Sequence, residues 1–453
     1  MKQLGYRAIM VLCFILLLAG GTTLFCTRYV SDGGDWASSK VNSGVYENGK
    51  LRRGAIYDRD GDLLLDAVSG SYADSGAVRK STLHLIGDRA GNISASAMKL
   101  MADRLVGFNP IMGTAMGGHE VFLTVDDALN AAAYQALDGR KGAVAIYNYR
   151  TGEVLCSVST PTFDPEKPPK EIEGNSKYEG VYLNRVFSGL YTPGSVFKIV
   201  TTAAALEQIA DIESRSFTCS GSLAMGDHTI TCPKAHGEMD FARALAKSCN
   251  CVYATLAVEL GGETLQKYAQ SAGLTERMDV SGIKTAAGSY TIADSEDDLG
   301  WSGVGQYKTL VNPAAMLRLM GAIGNDGVGV TPRLLLKETV ESGRTVATGR
   351  SGSERIWKAE TCEKLTALMR NTVVVEYGAE KFGALNVCAK SGTAEVGEGK
   401  RPHSWFVGFV DDENCPLAFS VIVENGGSGS AVAGGIVAKL LPPAAELLIT
   451  TEG

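Results

Sequence analysis

Histidine is scarce in this chain, with five residues in 453, and no basic stripe interleaved with aromatics runs through it. The first scarcity turns attention away from imidazole chemistry: the histidines read as structural or exposed, and no Ser-His-Asp arrangement is needed. The second argues against nucleic acid as a partner, as does a net charge of −7 from 43 Lys and Arg against 50 Asp and Glu. No internal repeat is evident. Charge is missing altogether from Ala8 to Thr27, whose core reads Ile-Met-Val-Leu-Cys-Phe-Ile-Leu-Leu-Leu-Ala. That is about the ~20 residues a bilayer-spanning helix needs. A cleaved signal peptide is the rival reading, with small residues at Ala19-Gly20-Gly21, but the apolar run continues through Leu24 and Phe25. An uncleaved anchor is expected. Lys2, Arg7 and the amino terminus place its start in the cytoplasm, and Arg28 pulls weakly the other way. Either reading exports the remainder of the chain.

Glycine, by contrast, is abundant at 54 residues, which suits a loop-rich enzyme more than a helical bundle. The length allows two or three domains and a sizeable core. Ten cysteines are present. Cys13 and Cys26 lie in the apolar run. Cys219 and Cys232 bracket a short polar loop, and three readings stay open for them: a disulfide in an oxidising compartment, free thiols, or a zinc site completed by His236. Cys249 and Cys251, two apart, are not placed to bond each other.

Taken in order, Ser31 to Gly49 is polar and reads as a linker. Arg53 to Leu65 reads as strand, turn, strand, with the turn at Arg59 to Asp62. Between 70 and 118 only one helix, near Ser94 to Leu105, can be placed. His119 to Thr124 alternates as a strand, and Asp126 caps a helix to about Leu137. Gly142 to Asn148 and Glu153 to Val158 form a second hairpin. Helices are expected from Ile199 to Gln208, Asp240 to Lys247, Tyr253 to Leu260, Thr264 to Ala272, Asn312 to Ile323 and Ala359 to Val373, with a last one from about Gly434. Residues 276 to 300 read as irregular. Strands are expected at Val387 to Lys390, Ser404 to Asp411 and Pro416 to Glu424.

Three stretches carry chemistry. In Tyr191-Thr192-Pro193-Gly194-Ser195-Val196-Phe197-Lys198, the Pro-Gly pair makes a turn and a helix follows. Ser195 then sits at a helix N-terminus with Lys198 on the same face, three positions on, so the amine can reach the serine oxygen. A neutral lysine can take the serine proton if burial or a neighbouring cation lowers its pKa. The free N–H groups of the helix start favour a developing oxyanion. The second stretch, Ser248-Cys249-Asn250, offers a hydroxyl and a carboxamide two positions apart, able to shuttle a proton and hold an amide. The third, Lys390-Ser391-Gly392-Thr393, begins at the end of a strand and suits a carboxylate clamp, with Gly392 allowing close approach. Taken singly, each has a plainer reading as a cap, a turn or a strand end.

Together, in this order, the three stretches resemble the penicillin-recognising serine transferases and hydrolases. Asn184-Arg185 through Lys198, Gly303-Val304-Gly305-Gln306 and Gly142 to Pro165 are similar to segments of class B penicillin-binding proteins. Arg53-Gly54-Ala55-Ile56 resembles the start of that class's non-catalytic module. The likeness covers nearly the whole chain after the anchor and is weakest from 66 to 118. It implies an α+β fold: a serine β-lactamase/transpeptidase-like domain, an antiparallel sheet flanked by helices, over residues 141–453. A small N-terminal module at 28–140 and a transmembrane helix within 1–27 precede it.

The resemblance further implies D,D-transpeptidation of peptidoglycan stem peptides in a bacterial cell membrane. Ser195 would be the nucleophile, Lys198 the base and Ser248 the proton relay. Asn250 would orient the donor, and Lys390, Ser391, Gly392 and Thr393 would hold its terminal carboxylate. The N–H groups of Ser195 and Thr393 would form the oxyanion hole, and repulsion from Lys390 would help lower the Lys198 pKa. No cofactor is implied. The implied partners are a D-Ala-D-Ala donor, an amine acceptor, β-lactams as inhibitors and a polytopic membrane glycosyltransferase.

The clamp is Lys-Ser-Gly where many relatives have Lys-Thr-Gly, which keeps the hydroxyl. A compact class B protein is expected, without a preceding glycosyltransferase domain and without a repeat beyond Gly453. A class A β-lactamase would need a Glu-held water, and no convincing Glu-x-x-x-Asn element lies between Asn250 and Lys390. A D,D-carboxypeptidase and a non-catalytic scaffold for a membrane glycosyltransferase are the remaining alternatives.

Overall fold

The computed structural model describes residues 2–37, 46–47, 50–51, 54–106, 108–109, 114–115, 118–340, 342–397 and 399–450. Its C-terminal two thirds are organised by a five-stranded antiparallel sheet. In chain order the strands are β1 (Gly142–Asn148), β2 (Val154–Thr160), β3 (Val387–Ala394), β4 (His403–Val410) and β5 (Leu417–Val423). Their spatial order is β2-β1-β5-β4-β3, which leaves β3 on an edge. Helices cover both faces, so β1, β2 and β5 are buried at every residue and read as near-continuous apolar runs. On one face Ala143, Ala145, Tyr147, Val407 and Phe409 share a core with Met316 and Met320 of the helix Pro313–Gly324. On the other, Val144, Ile146, Phe406, Phe419 and Val421 pack with Leu129 of Asp127–Leu137 and with Ile436 and Leu440 of Gly434–Thr450.

A second sheet of six strands runs in the order Thr345–Thr348, Leu335–Val340, His119–Leu123, Ala55–Tyr57, Leu63–Asp66, Ser71–Tyr72. The Arg59–Asp62 turn is tied by Asp58, whose Oδ1 accepts the N–H groups of Asp60, Gly61 and Asp62. Two strands of this sheet return from beyond residue 330, so it draws on both sides of residue 140.

The helix Lys2–Ala37 contains the segment Gly5–Tyr29, long and apolar enough to cross a membrane and wholly unburied. It carries seven residues of the expected linker as helix; residues 38–45 and 48–49 of that linker, and Arg53 of the first hairpin, lie outside the described residues.

Elsewhere the structure corrects the sequence reading. A helix at Gly76–Ile86, capped by Ser75, stands where none was assigned. Ser81, Thr82 and His84 are buried alongside its apolar residues, which blurs the amphipathic period. The segment near Ser94 to Leu105 splits into Ala97–Leu100 and Ala102–Leu105. The stretch read as irregular contains the start of a helix, Glu296–Val304, whose Ser295 cap and acidic first turn suit a helix N-terminus. Among the described residues no disulfide joins Cys219 to Cys232.

Candidate active site

Three elements fix the Ser195 turn. Tyr191 exchanges backbone hydrogen bonds with Val311, Trp405 Nε1 donates to the Thr192 carbonyl at 3.0 Å, and Gly194 N–H donates to the Gly305 carbonyl at 2.8 Å. Gly305 ends the Glu296–Val304 helix at φ +90, and a Cβ there would lie 2.0 Å from the Gly194 oxygen, so the turn tolerates only glycine at this point. Residues Gly194–Phe197 form one 3-10 turn that runs into the helix Lys198–Gln208. Ser195 therefore precedes the α-helix proper, and Lys198 is its first residue.

Lys198 is fully buried. Its Nζ donates to the Ser248 carbonyl at 2.7 Å, to Ser248 Oγ at 3.1 Å and to Asn250 Oδ1 at 2.8 Å. The amine also lies 5.4 Å from the centre of the Tyr253 ring. The expected reach from Lys198 to Ser195 along one helix face is not made as a hydrogen bond: the amine is committed to Ser248 and Asn250, and Ser195 Oγ bonds no described residue.

Ser248 and Asn250 sit at a junction of two helices. Phe241–Ala246 ends just before them, Ser248 takes φ +53, and Asn250 opens Asn250–Leu260. That break turns both polar side chains towards Lys198.

The third stretch is not at a strand end, as expected, but inside β3, which continues to Ala394. Lys390 pairs with Val407, Gly392 with Trp405 and Thr393 with Ser404, all on β4. One face of β3 lies against the Ser195 turn: a Cβ on Gly392 would come 2.9 Å from the Pro193 oxygen and 3.0 Å from Val196 Cγ1. Lys390, fully buried, donates to Ser248 Oγ at 3.1 Å and to its neighbour's carbonyl, on Ser391, at 2.9 Å. Ser195, Ser248, Asn250, Ser391 and Thr393 line one cleft of about 460 Å³.

Sequence reasoning missed Tyr377. Its Oη accepts from Ser391 N–H and bonds Ser391 Oγ, both at 2.9 Å, so it holds the start of the β3 edge. It missed Glu376 too, which pairs with Lys247 at 2.5 Å on the cleft wall. Both lie on one irregular turn, Val373–Tyr377, after the helix Ala359–Thr372, and no spacing rule links that turn to the three motifs.

Burial pushes the Lys198 amine down to about 7. Burial, then repulsion from Lys198, holds Lys390 well below the usual lysine range, against the pull of Glu376. The repulsion between the two ammonium groups is mutual, so beyond burial each lysine disfavours the charged form of the other. A lysine near 7 can accept a proton at neutral pH without a histidine.

Beside this centre Cys219, Cys232, His236 and Cys249 gather their ligand-type atoms within 4.8 Å of one another. The sequence reading named the first three and left Cys249 out, because in the chain it belongs to the Ser248 stretch.

Residues 142–442 match the family described as Penicillin binding protein transpeptidase domain. The chain belongs to this penicillin-binding transpeptidase family, in its class B branch. It is 28% identical over 389 residues to the peptidoglycan D,D-transpeptidase PbpA of Mycolicibacterium smegmatis, covering 80% of this chain and 78% of that one. The fold superposes with TM-score 0.74 on penicillin-binding protein A of M. tuberculosis in an imipenem acyl-enzyme complex, at 25% identity over 87% of this chain and 98% of that one. A structure of a peptidoglycan synthase complex coordinating polymerization and crosslinking contains a chain of the same fold, with TM-score 0.63 and 24% identity, over 73% of this chain and 63% of that one.

Proposed function

We propose that this chain is a serine D,D-transpeptidase that cross-links peptidoglycan stem peptides and is acylated by β-lactams. The observation that carries the reading is the convergence of two buried lysines on Ser248 Oγ, beside Ser195 and the open edge of β3. Ser195 Oγ attacks the carbonyl of a D-Ala-D-Ala end, and its proton passes to Lys198. The N–H groups of Ser195 and Thr393 take the oxyanion. On collapse the C–N bond breaks, and Ser248 Oγ, bonded to both amines, relays a proton to the departing D-Ala nitrogen. The product is an ester on Ser195, resolved by an acceptor amine whose attack reverses the same proton path. Asn250 orients the donor, and Lys390, Ser391, Gly392 and Thr393 hold the terminal carboxylate.

In this reading residues 1–27 anchor the chain in the membrane, amino terminus inwards by the Lys2 and Arg7 charges and the site outside, which is supported by the apolar helical segment Gly5–Tyr29. Residues 28–140 act as a non-catalytic pedestal and 141–453 as the transpeptidase. Its partner is a membrane glycosyltransferase, a reading supported by the similar chain in the synthase complex.

The test is covalent labelling. A fluorescent penicillin should acylate the full chain in detergent at one residue, and Ser195→Ala should remove the label at unchanged melting temperature. Labelling that persists in Ser195→Ala would sink the assignment.

A further inference from the structure

The arm that follows the Ser195 helix is poorly supplied with apolar contacts. Strands Ser216–Cys219 and Gly237–Asp240 pair, and a hairpin, Ser222–Met225 with His228–Thr231, rises between them. Cys219, Ile230 and Met239 are its only buried hydrophobic residues among those described. Small units with so little core are commonly held by a staple, either a disulfide or a metal. Yet this arm forms part of the active-site rim. Thr231, Cys232, Pro233, Lys234 and His236 line the cleft, and the Thr231 carbonyl accepts from Asn250 Nδ2 at 2.8 Å.

The cluster at its base has the dimensions of a tetrahedral thiolate site. With zinc–sulfur bonds near 2.3 Å, two sulfurs on one tetrahedron lie about 3.8 Å apart. Cys232 Sγ and Cys249 Sγ are 3.7 Å apart. Cys219 Sγ and a ring nitrogen of His236 complete the group. Two further features point to a ligand. His236 Nδ1 is buried with no hydrogen-bond partner among the described residues. Backbone N–H groups already point at two of the sulfurs, from Gly221 to Cys219 at 3.4 Å and from Asn250 to Cys232 at 3.2 Å. Such donors steady thiolates bound to a metal. A fourth thiol, Cys251, lies 3.6 Å from Cys232 and forms the rim of the group.

We propose that Cys219, Cys232, His236 and Cys249 bind one zinc ion that clamps the 216–240 arm onto the helix junction carrying Ser248 and Asn250. Four protein ligands close the coordination sphere, so the ion is structural and takes no part in the acyl chemistry. Its effect on the site is positional: Cys249 lies between Ser248 and Asn250, and Cys232 is bonded by the Asn250 N–H. Binding converts the three thiols to thiolates and releases their protons, with no change in oxidation state.

The test is metal analysis of the full-length protein, solubilised in detergent and purified without a metal-affinity step. Elemental mass spectrometry should find about one zinc per chain. Cys219→Ser, Cys232→Ser and His236→Ala should each carry almost none, while Cys362→Ser, buried on the helix Ala359–Thr372 and not part of the cluster, keeps it. Stripped wild-type protein reloaded with Co²⁺ should show thiolate-to-cobalt charge-transfer absorption and the strong visible bands of tetrahedral cobalt, and Cys251→Ser should leave both unchanged. Hydrogen exchange across 216–240 should slow on adding Zn²⁺. These readouts on wild-type protein need no variant to fold, and none depends on transpeptidase activity. Wild-type chain that neither carries zinc nor binds added Zn²⁺ overturns the proposal. So does a Cys232 disulfide, seen as a mass lighter by two hydrogens. So does zinc that survives the ligand substitutions.

Discussion

Lys198 and Lys390 share one hydroxyl: each amine lies 3.1 Å from Ser248 Oγ, and both side chains are fully buried. Two ammonium groups so close in a dry site cannot both be comfortably charged. In the mechanism proposed above, this enclosure supplies what imidazole supplies in other serine enzymes, a base that is neutral near pH 7.

The first expectation concerns pH. Below about 7 Lys198 is protonated and cannot take the Ser195 proton; above it the amine is free. Acylation by a penicillin should therefore rise with pH to a plateau, with a midpoint close to 7. The groups that face Lys198 are Ser248, Asn250 and Lys390, with the cysteines at 232, 249 and 251 pulling its pKa upward. Lys198→Met should slow acylation by ~10²–10⁴-fold. Stopped-flow labelling from pH 5.5 to 9 measures both effects, and a flat profile would contradict the assignment of Lys198.

Tyr377 offers a second test. Its hydroxyl bonds both the N–H and the Oγ of Ser391. Tyr377→Phe leaves these groups short of a partner, at a cost of about 1–3 kcal/mol. Because the bonds steady Ser391, a member of the proposed carboxylate clamp, the second-order acylation constant should fall about 5- to 150-fold. The melting temperature should change little by comparison. An unchanged acylation constant would mean that Ser391 needs no such support.

Gly305 tests how the Ser195 turn is held. Gly305→Ala puts a methyl group into the Gly194 carbonyl and into a left-handed backbone position, which alone costs ~1–2 kcal/mol. The turn must shift, so both melting temperature and acylation rate should fall. Loss of stability with normal acylation would show that the Gly194–Gly305 bond does not position Ser195.

The fourth expectation separates transfer from hydrolysis. Deacylation by water needs an activated base on the open side of the ester. Of the carboxylates on the cleft wall, Glu376 is tied to Lys247 and Glu395 is exposed. Neither is a desolvated free base. A penicilloyl adduct should last minutes to hours; ~1,000 s corresponds to a barrier of roughly 21–22 kcal/mol. A hydrolase turning over at ~10³ s⁻¹ would need about 8 kcal/mol less. Intact-mass spectrometry after a penicillin pulse reads the lifetime, and loss of the adduct within seconds would reveal a base in the cleft.

The three motifs were legible because each joins a turn residue to a reactive side chain over a few positions. Helices with a polar cap, such as Asp126 before Asp127–Leu137 and Asn312 before Pro313–Gly324, were equally readable. What escaped is non-local. Tyr377 reaches Ser391 only after the chain turns back, and Cys249 joins Cys219 only through folding of the arm. Gly76–Ile86 buries three polar side chains, so its period is concealed. Leu335–Val340 makes sense as a strand only beside His119–Leu123, over two hundred residues earlier. Local propensity carries no record of such partners.

That last pairing limits how the molecule can be cut. A fragment begun at residue 141 would strip Leu335–Val340 of its neighbour and present a bare strand edge, an invitation to aggregate. In the intact chain the same row of backbone bonds ties 335–340, which follow the Ser195 segment in the chain, to 119–123 and through them to 55–57, which precede it. A deletion that removes 119–123 therefore reaches a strand more than two hundred residues further along the chain.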